Sequence, residues 1–167
     1  YELLGDKAAR RRLWERGELI FNGYWFGRET EPVLRLGEND REFLRTRAPN
    51  LPSWQAGVAN LDSPAAGIAA MQSIYANPAA HTAVALRFLS LWVAYFGDPK
   101  LSLQWLREAT ALQATSVMAV WGPLYKDVRR EPGFKDFLRD FGVVDYWERF
   151  GWPDICHRID DNDFVCD

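Results

Sequence analysis

The chain has 167 residues, of which 48% are hydrophobic and 26% charged, and its formal net charge at pH 7 is −3. This length suits one domain or one stretch of a repeat array, and it is enough to bury a sizeable core. The slight acidic excess excludes a generally basic surface, so we do not expect nucleic acid as a partner. Aromatic residues make up 14% of the chain and include 8 tryptophans, which excludes a disordered segment.

The first residues suggest a piece of a longer protein. The chain opens at Tyr1 without an initiator methionine, and it shows no signal-peptide pattern. Because these residues are typical of a helix interior, we expect the sequence to be a C-terminal fragment. The longest mainly apolar stretch, residues 83–96, contains Arg87 and is too short to span a bilayer. We expect a buried helix there and no membrane insertion by this segment.

Helical periodicity dominates from the N-terminus onward. One helix face is predicted from spacings of i, i+4, i+7, i+8 and i+11, occupied by Leu13, Gly17, Ile20, Phe21 and Tyr24. A second helical region is predicted from Thr30-Glu31-Pro32, where a capping residue precedes a proline in the first turn. Residues 41–47 are expected to form one or two further turns. Pro49 and Pro52 then mark a connection.

Six more helices are predicted beyond this connection. Their ranges are 65–76, 79–96, 100–113, 116–130, 134–141 and 145–150. The breaks between them include Asn77-Pro78, Gly97-Asp98-Pro99 and Glu131-Pro132-Gly133. No run shows sustained strand alternation, although residues 164–166 suit a short extended piece. The sequence therefore predicts an all-α fold.

Short connections between these helices indicate antiparallel hairpins, with residues 83–114 as the best-defined unit. Small residues are needed where two helix axes approach, at Ser90, Ser102 and Ala109, and large ones fill the space beside them. This alternation resembles the 34-residue tetratricopeptide repeat. Val93 stands where that family usually has a large aromatic residue, and the closing proline after Gln113 is absent.

A second resemblance covers the segment Trp121 to Leu138. It is similar to a recurrent ending of tetratricopeptide arrays in bacterial multidomain regulators, with the match extending roughly over residues 65–166. The resemblance implies a stacked helical solenoid closed by a capping helix. We expect irregular N-terminal hairpins in residues 1–61, repeat-like hairpins in 62–114, and capping helices with a cysteine-containing tail in 115–167, all in one continuous domain.

The two cysteines, Cys156 and Cys166, lie in the C-terminal tail with a C-x9-C spacing. They would be free thiols in a reducing compartment and could close a small loop in an oxidising one. We favour the disulfide, which would suit an extracytoplasmic location, whereas free thiols would suit the cytoplasm. Cys156 and His157 are adjacent and the nearby acidic residues lack the spacing of known metal loops, so we expect no metal site.

No pattern indicates catalysis. The chain has two histidines, His81 and His157, and it contains no nucleophile elbow, phosphate-binding loop or dinucleotide fingerprint. We therefore predict that the chain is not an enzyme and that it needs no cofactor.

Binding residues are suggested by the aromatic excess and by the concave surface of stacked hairpins. Tyr24, Trp25 and Phe26 are consecutive, so one helix face cannot bury all three. Arg87 and Tyr95 are candidates on the first helix of the best-defined hairpin. The leading hypothesis is an interaction module for a protein, a peptide or another domain of the same chain. The alternative is a small-molecule sensor with an aromatic pocket between helices.

Overall fold

A computed structural model describes residues 33, 35–47, 50–160 and 163–166. This part of the chain is mainly helical, which confirms the predicted all-α class. The helices, in chain order, are α1 (Arg41–Arg47), α2 (Pro52–Ala59), α3 (Pro64–Tyr75), α4 (Ala83–Tyr95), α5 (Pro99–Leu112), α6 (Phe134–Asp140) and α7 (Val143–Phe150). Short 3-10 turns cover Pro78–Ala80, Ala114–Trp121, Pro123–Tyr125 and Val128–Arg130. A two-stranded antiparallel hairpin, β1 (Cys156–Arg158) and β2 (Phe164–Cys166), closes the described chain.

Local sequence signals fix the ends of the long helices. Prolines occupy the first turn of α2, α3 and α5, where the missing N–H group has no intrahelical acceptor in any case. The Thr82 hydroxyl accepts from the Ala85 amide at 3.2 Å, and the Asp98 carboxylate accepts from the Leu101 amide at 3.0 Å. Gly97, at φ 90°, ends α4 in the left-handed conformation and turns the chain back into α5.

Helices α4 and α5 form an antiparallel hairpin at the centre of the fold. Ser90 and Ser102 are fully buried where the two helices meet, and Leu86, Leu89 and Leu106 surround them. Tyr125, in the 3-10 turn Pro123–Tyr125, is also buried, and its hydroxyl lies next to Ser90. Small residues at the crossing let the axes approach, and leucines fill the flanks, as the sequence pattern predicts.

Helices α2 and α3 pack on the other side of α4 through glycine and aromatic residues. The buried Trp54 and Trp92 rings meet edge to face, with their centroids 5.0 Å apart. A β-carbon at Gly57 would overlap the indole of Trp92, so α2 reaches α4 only because this position has no side chain. Within the described residues, neither indole N–H has a hydrogen-bond acceptor.

Three predicted elements differ from the structure. Pro52 begins α2 instead of marking a plain connection. The helix expected from residue 79 starts at Ala83, because Pro78–Ala80 forms a separate 3-10 turn and Thr82 caps the next helix. The helix expected over 116–130 is a series of 3-10 turns, interrupted where Gly122 is extended and Pro123 follows without an N–H group.

The side chain of Arg129 holds these turns together. It is 7% exposed, and its guanidinium donates to the carbonyl oxygens of Val120 at 2.7 Å and Gly122 at 3.2 Å. Burial lowers the pKa of Arg129. Carbonyls that a continuous α-helix would satisfy internally are satisfied here by a side chain.

The C-terminal elements pack on one another through helix α6 and the β-hairpin. Helix α6 buries Phe134, Phe137 and Leu138, as its amphipathic pattern predicts. The Lys135 ammonium bonds the Asp163 carboxylate at 2.6 Å, which ties α6 to the β-hairpin. Within the described ranges, no helix combines the length and apolar character needed to cross a membrane.

Candidate functional site

Helix α7 is anchored by one buried tryptophan. Trp147 is 6% exposed, and its ring centroid lies 5.2 Å from that of Trp152, 5.8 Å from that of Trp121 and 6.0 Å from that of Phe164. Glycines with positive φ, Gly142 at 70° and Gly151 at 108°, bound the helix at its two ends. The helix is therefore short and fixed in place by aromatic packing along its inner side.

The outer side of the same helix leaves two large aromatic rings in solvent. Tyr146 is 60% exposed and Phe150 is 63% exposed, and their ring centroids are 4.8 Å apart. The guanidinium carbon of Arg149 lies 5.1 Å from the Phe150 ring centroid. Asp145, one turn before Arg149, is exposed as well. We call these four residues the α7 outer face.

An ion pair and a disulfide lie next to the outer face. Glu148 forms an ion pair with Arg158 at 3.3 Å, which joins α7 to strand β1. Cys156 and Cys166 form a disulfide across the paired ends of β1 and β2, which confirms the disulfide that the sequence analysis favoured. The ion pair therefore links the helix that carries the exposed rings to the disulfide-closed hairpin beside it.

The composition of the outer face is typical of a contact surface. Tyrosine, phenylalanine and arginine are enriched in the centres of protein interfaces. Rings held together by i,i+4 spacing lose little conformational freedom when a partner covers them. Burying such a side chain fully is worth about 1.5–3 kcal/mol.

Arg87 and Tyr95 lie on α4 and are both half-buried. The Tyr95 hydroxyl donates to the Asn39 side-chain oxygen at 2.9 Å, and its ring packs against Trp92 and Phe96. The Arg87 guanidinium carbon lies 5.3 Å from the Phe88 ring centroid. Eight positions separate the two residues, or about 12 Å along the helix axis. The α4 contacts therefore engage both side chains in packing, and we centre the candidate site on α7.

The other aromatic candidates, Tyr24, Trp25 and Phe26, lie outside the described residues. The α7 outer face escaped the sequence analysis although its signal is present. Asp145, Tyr146, Arg149 and Phe150 follow the i, i+1, i+4, i+5 spacing of one helix stripe. Trp147 lies between them in sequence but faces the buried side of the helix. The number of aromatic residues in the segment therefore does not show which ring is buried and which are exposed.

One polar cluster outside α7 combines ionisable groups. Tyr75 donates to the Glu108 carboxylate at 2.8 Å, its ring stacks on Trp105 at 4.8 Å, and His81 contacts the Tyr75 carbonyl oxygen through Nε2 at 2.8 Å. The Glu108 hydrogen bond, followed by burial, raises the pKa of Tyr75. A phenol held in its protonated form is not an activated base, so this cluster serves as a link between α3 and α5.

Potential metal ligands are not assembled in the part of the chain that the structure describes. No group of three or more His, Cys, Asp or Glu side chains is placed there to hold a metal ion. Comparison of the chain with family models, with curated proteins and with solved structures finds no match in any of the three.

Proposed function

We propose that this chain is a non-enzymatic, tetratricopeptide-like interaction module within a larger bacterial regulator-type protein, and that it binds a protein or another domain through the α7 outer face. The observation that carries the proposal is the exposure of two neighbouring aromatic rings, Tyr146 and Phe150, on a helix anchored by the buried Trp147. A contiguous aromatic surface of this kind gains free energy when a partner removes it from water.

The repeat-like part of the proposal rests on the α4–α5 hairpin. Its helices meet at Ser90 and Ser102 with leucines on either side, the same small and large alternation that suggested the repeat. Helix α6 then covers the end of the hairpins with Phe134, Phe137 and Leu138 while leaving Asp136 and Arg139 in solvent. A terminal cap of a helical stack needs these two different faces.

The disulfide supports one further element of the proposal, the compartment. A bridged Cys156–Cys166 pair persists most readily in an oxidising environment. We therefore favour an extracytoplasmic location for the module.

The sensor alternative receives less support from the packing. Trp54, Phe88 and Trp92 would be natural walls for an aromatic pocket between helices. Their rings are instead packed on one another, with centroids 5.9 Å apart for Trp54 and Phe88 and 5.0 Å apart for Trp54 and Trp92. An interaction surface is therefore the function that we carry forward.

Site-specific photo-crosslinking tests the proposal. A photoreactive phenylalanine analogue at position 150 keeps an aromatic ring there, and the same analogue at Gln72, exposed on α3, is the matched control. We expect covalent adducts in cells of the source organism from position 150, fewer of them when Tyr146 is changed to Ser, and none from position 72. Equal adducts from both positions, or none from position 150, would overturn the proposal.

A further inference from the structure

The charges and rings of the α7 outer face are arranged so that the face is complementary to a second, antiparallel copy of itself. Asp145 and Tyr146 lie in the first half of the helix, and Arg149 and Phe150 lie one turn later on the same stripe. The stripe therefore has an acidic end, a basic end and an aromatic row alongside. Turning a second α7 to run in the opposite direction sets Asp145 against Arg149 twice and Tyr146 against Phe150 twice.

We propose that the partner of the α7 outer face is a second copy of this chain, packed antiparallel through α7 about a two-fold axis. The inference rests on the proposed function, since it names the occupant of the same surface. Two-fold symmetry requires one patch to complement itself, which is the property that this order of residues provides. A parallel two-fold arrangement would instead set the charged row of one copy against the aromatic row of the other, so neither the ion pairs nor the ring pairs would form.

Both charges are available for such a contact. Neither Asp145 nor Arg149 forms an ion pair with any residue in the described ranges, and Arg149 instead lies over the Phe150 ring. Across the two-fold axis, each Arg149 can keep its place on that ring while its outer nitrogens reach the carboxylate of the second copy. The two aromatic pairs between these ion pairs supply the apolar part of the contact.

The size of the surface sets the expected strength. A contact limited to one short helix from each copy falls below the roughly 1,200–2,000 Å² buried in specific stable interfaces. The dimer should therefore be weak and transient. Its formation should depend steeply on protein concentration.

Sedimentation equilibrium of the 167-residue chain tests the inference through charge reversal. We expect the wild-type mass to rise towards two chains as the protein concentration increases from micromolar to millimolar. Asp145→Arg and Arg149→Asp should each abolish the rise, because each places like charges opposite one another. An equimolar mixture of these two variants, and the double swap Asp145→Arg/Arg149→Asp in one chain, should restore it. Lys126→Asp, an exposed charge reversal away from α7, is the control and should leave the rise unchanged.

A variant without a charge change gives a second route. Phe150→Ser should weaken the association by roughly tenfold or more, the effect of removing an interface anchor. Circular dichroism of every variant checks that the helices are retained. If a charge variant loses its helical signal, the Phe150→Ser result decides, and an unchanged association constant for that variant would overturn the inference.

The outcomes separate this inference from the proposed function. A chain that stays monomeric up to millimolar concentration, or a dimer that ignores both charge reversals, overturns the second copy as the partner. If position 150 then crosslinks to a different protein, the interaction module stands without the dimer. If position 150 forms no adduct and the chain stays monomeric, both proposals fall.

Discussion

Ser90 and Ser102 exchange hydrogen bonds across the α4–α5 crossing: each hydroxyl donates to the other residue's carbonyl oxygen at 2.9 Å. The two hydroxyl oxygens are 3.0 Å apart, and the Tyr125 hydroxyl lies 3.5 Å from Ser90 Oγ. Burial raises the pKa of Tyr125 to about 12 despite smaller lowering effects from the Ser90 hydrogen bond and the Arg87 charge. A closed polar contact therefore sits inside an otherwise apolar helix interface.

Removing one hydroxyl of this pair should lower the free energy of unfolding by more than half of the loss that follows from removing both. Ser90→Ala and Ser102→Ala are each expected to lower the free energy of unfolding by about 1 kcal/mol, because each leaves the remaining serine with a poorer set of buried partners. The double variant should lose less than the sum of the two, since it leaves neither hydroxyl behind. Urea unfolding measures this coupling, and Ser73→Ala, exposed on α3, is the control with no expected effect. Strictly additive losses would contradict a coupled pair.

Two helical glycines should respond to alanine with opposite signs. Gly57→Ala should destabilise the fold by about 1–3 kcal/mol, because its methyl group overlaps the indole of Trp92 in a close-packed interior. Gly37 is the last helical residue before the turn at Glu38 and Asn39. The nearest atom to a new β-carbon there is 3.9 Å away, on Leu124, so Gly37→Ala should stabilise by roughly 0.5–1 kcal/mol through helix propensity. Thermal unfolding of the two variants checks the contrast. Stabilisation by Gly57→Ala would show that α2 does not pack on Trp92 as described.

The disulfide should contribute to stability and to the packing of β2. Loop-closure arguments give about 3 kcal/mol for a loop of this length. Phe164 on β2 packs on Trp147 and Trp152, so reduction should also move tryptophan fluorescence to longer wavelength. Thermal unfolding and emission spectra with and without reductant measure both effects. A Cys156→Ser/Cys166→Ser variant should resemble the reduced protein and ignore the reductant, and a wild type that ignores it too would contradict the prediction.

Acid should weaken the link between α6 and the β-hairpin. The Lys135 hydrogen bond, followed by the Phe164 backbone amide, lowers the pKa of Asp163 below its ordinary value of 3.8. The unfolded chain then binds the proton more readily, so this contribution is fully present above pH 3.8 and is lost as the pH falls through the lower folded pKa. Asp163→Asn should flatten the acid limb of a plot of melting temperature against pH. An unchanged acid limb would mean that Asp163 does not stabilise the folded state.

The turns and helix ends that depend on residues adjacent in sequence could be predicted for this fold. The Gly97-Asp98-Pro99 turn combines a left-handed glycine, a capping carboxylate and a helix-starting proline within three positions, so the α4–α5 hairpin follows from local chemistry. The small residues Ser90 and Ser102 also predicted where α4 and α5 cross, because helix axes can approach closely only where side chains are small.

Features that depend on distant contacts could not be predicted in this way. The segment after α5 has good helical periodicity, but the buried Arg129 side chain stabilises 3-10 turns instead by bonding the carbonyls of Val120 and Gly122. The α7 outer face posed a similar problem, because Trp147 and Tyr146 are adjacent aromatic residues with opposite environments. Which ring is buried depends on where the β-hairpin lies, and that position is set by Lys135, Asp163 and the disulfide.

The β-hairpin also affects what a protease would release. Arg158 is exposed and lies inside the ring that Cys156 and Cys166 close. A cut after Arg158 breaks the peptide chain there, yet the downstream fragment remains attached through sulfur. The nicked protein therefore has the intact chain's mass plus one water, and the fragment beginning at Ile159 leaves only after reduction.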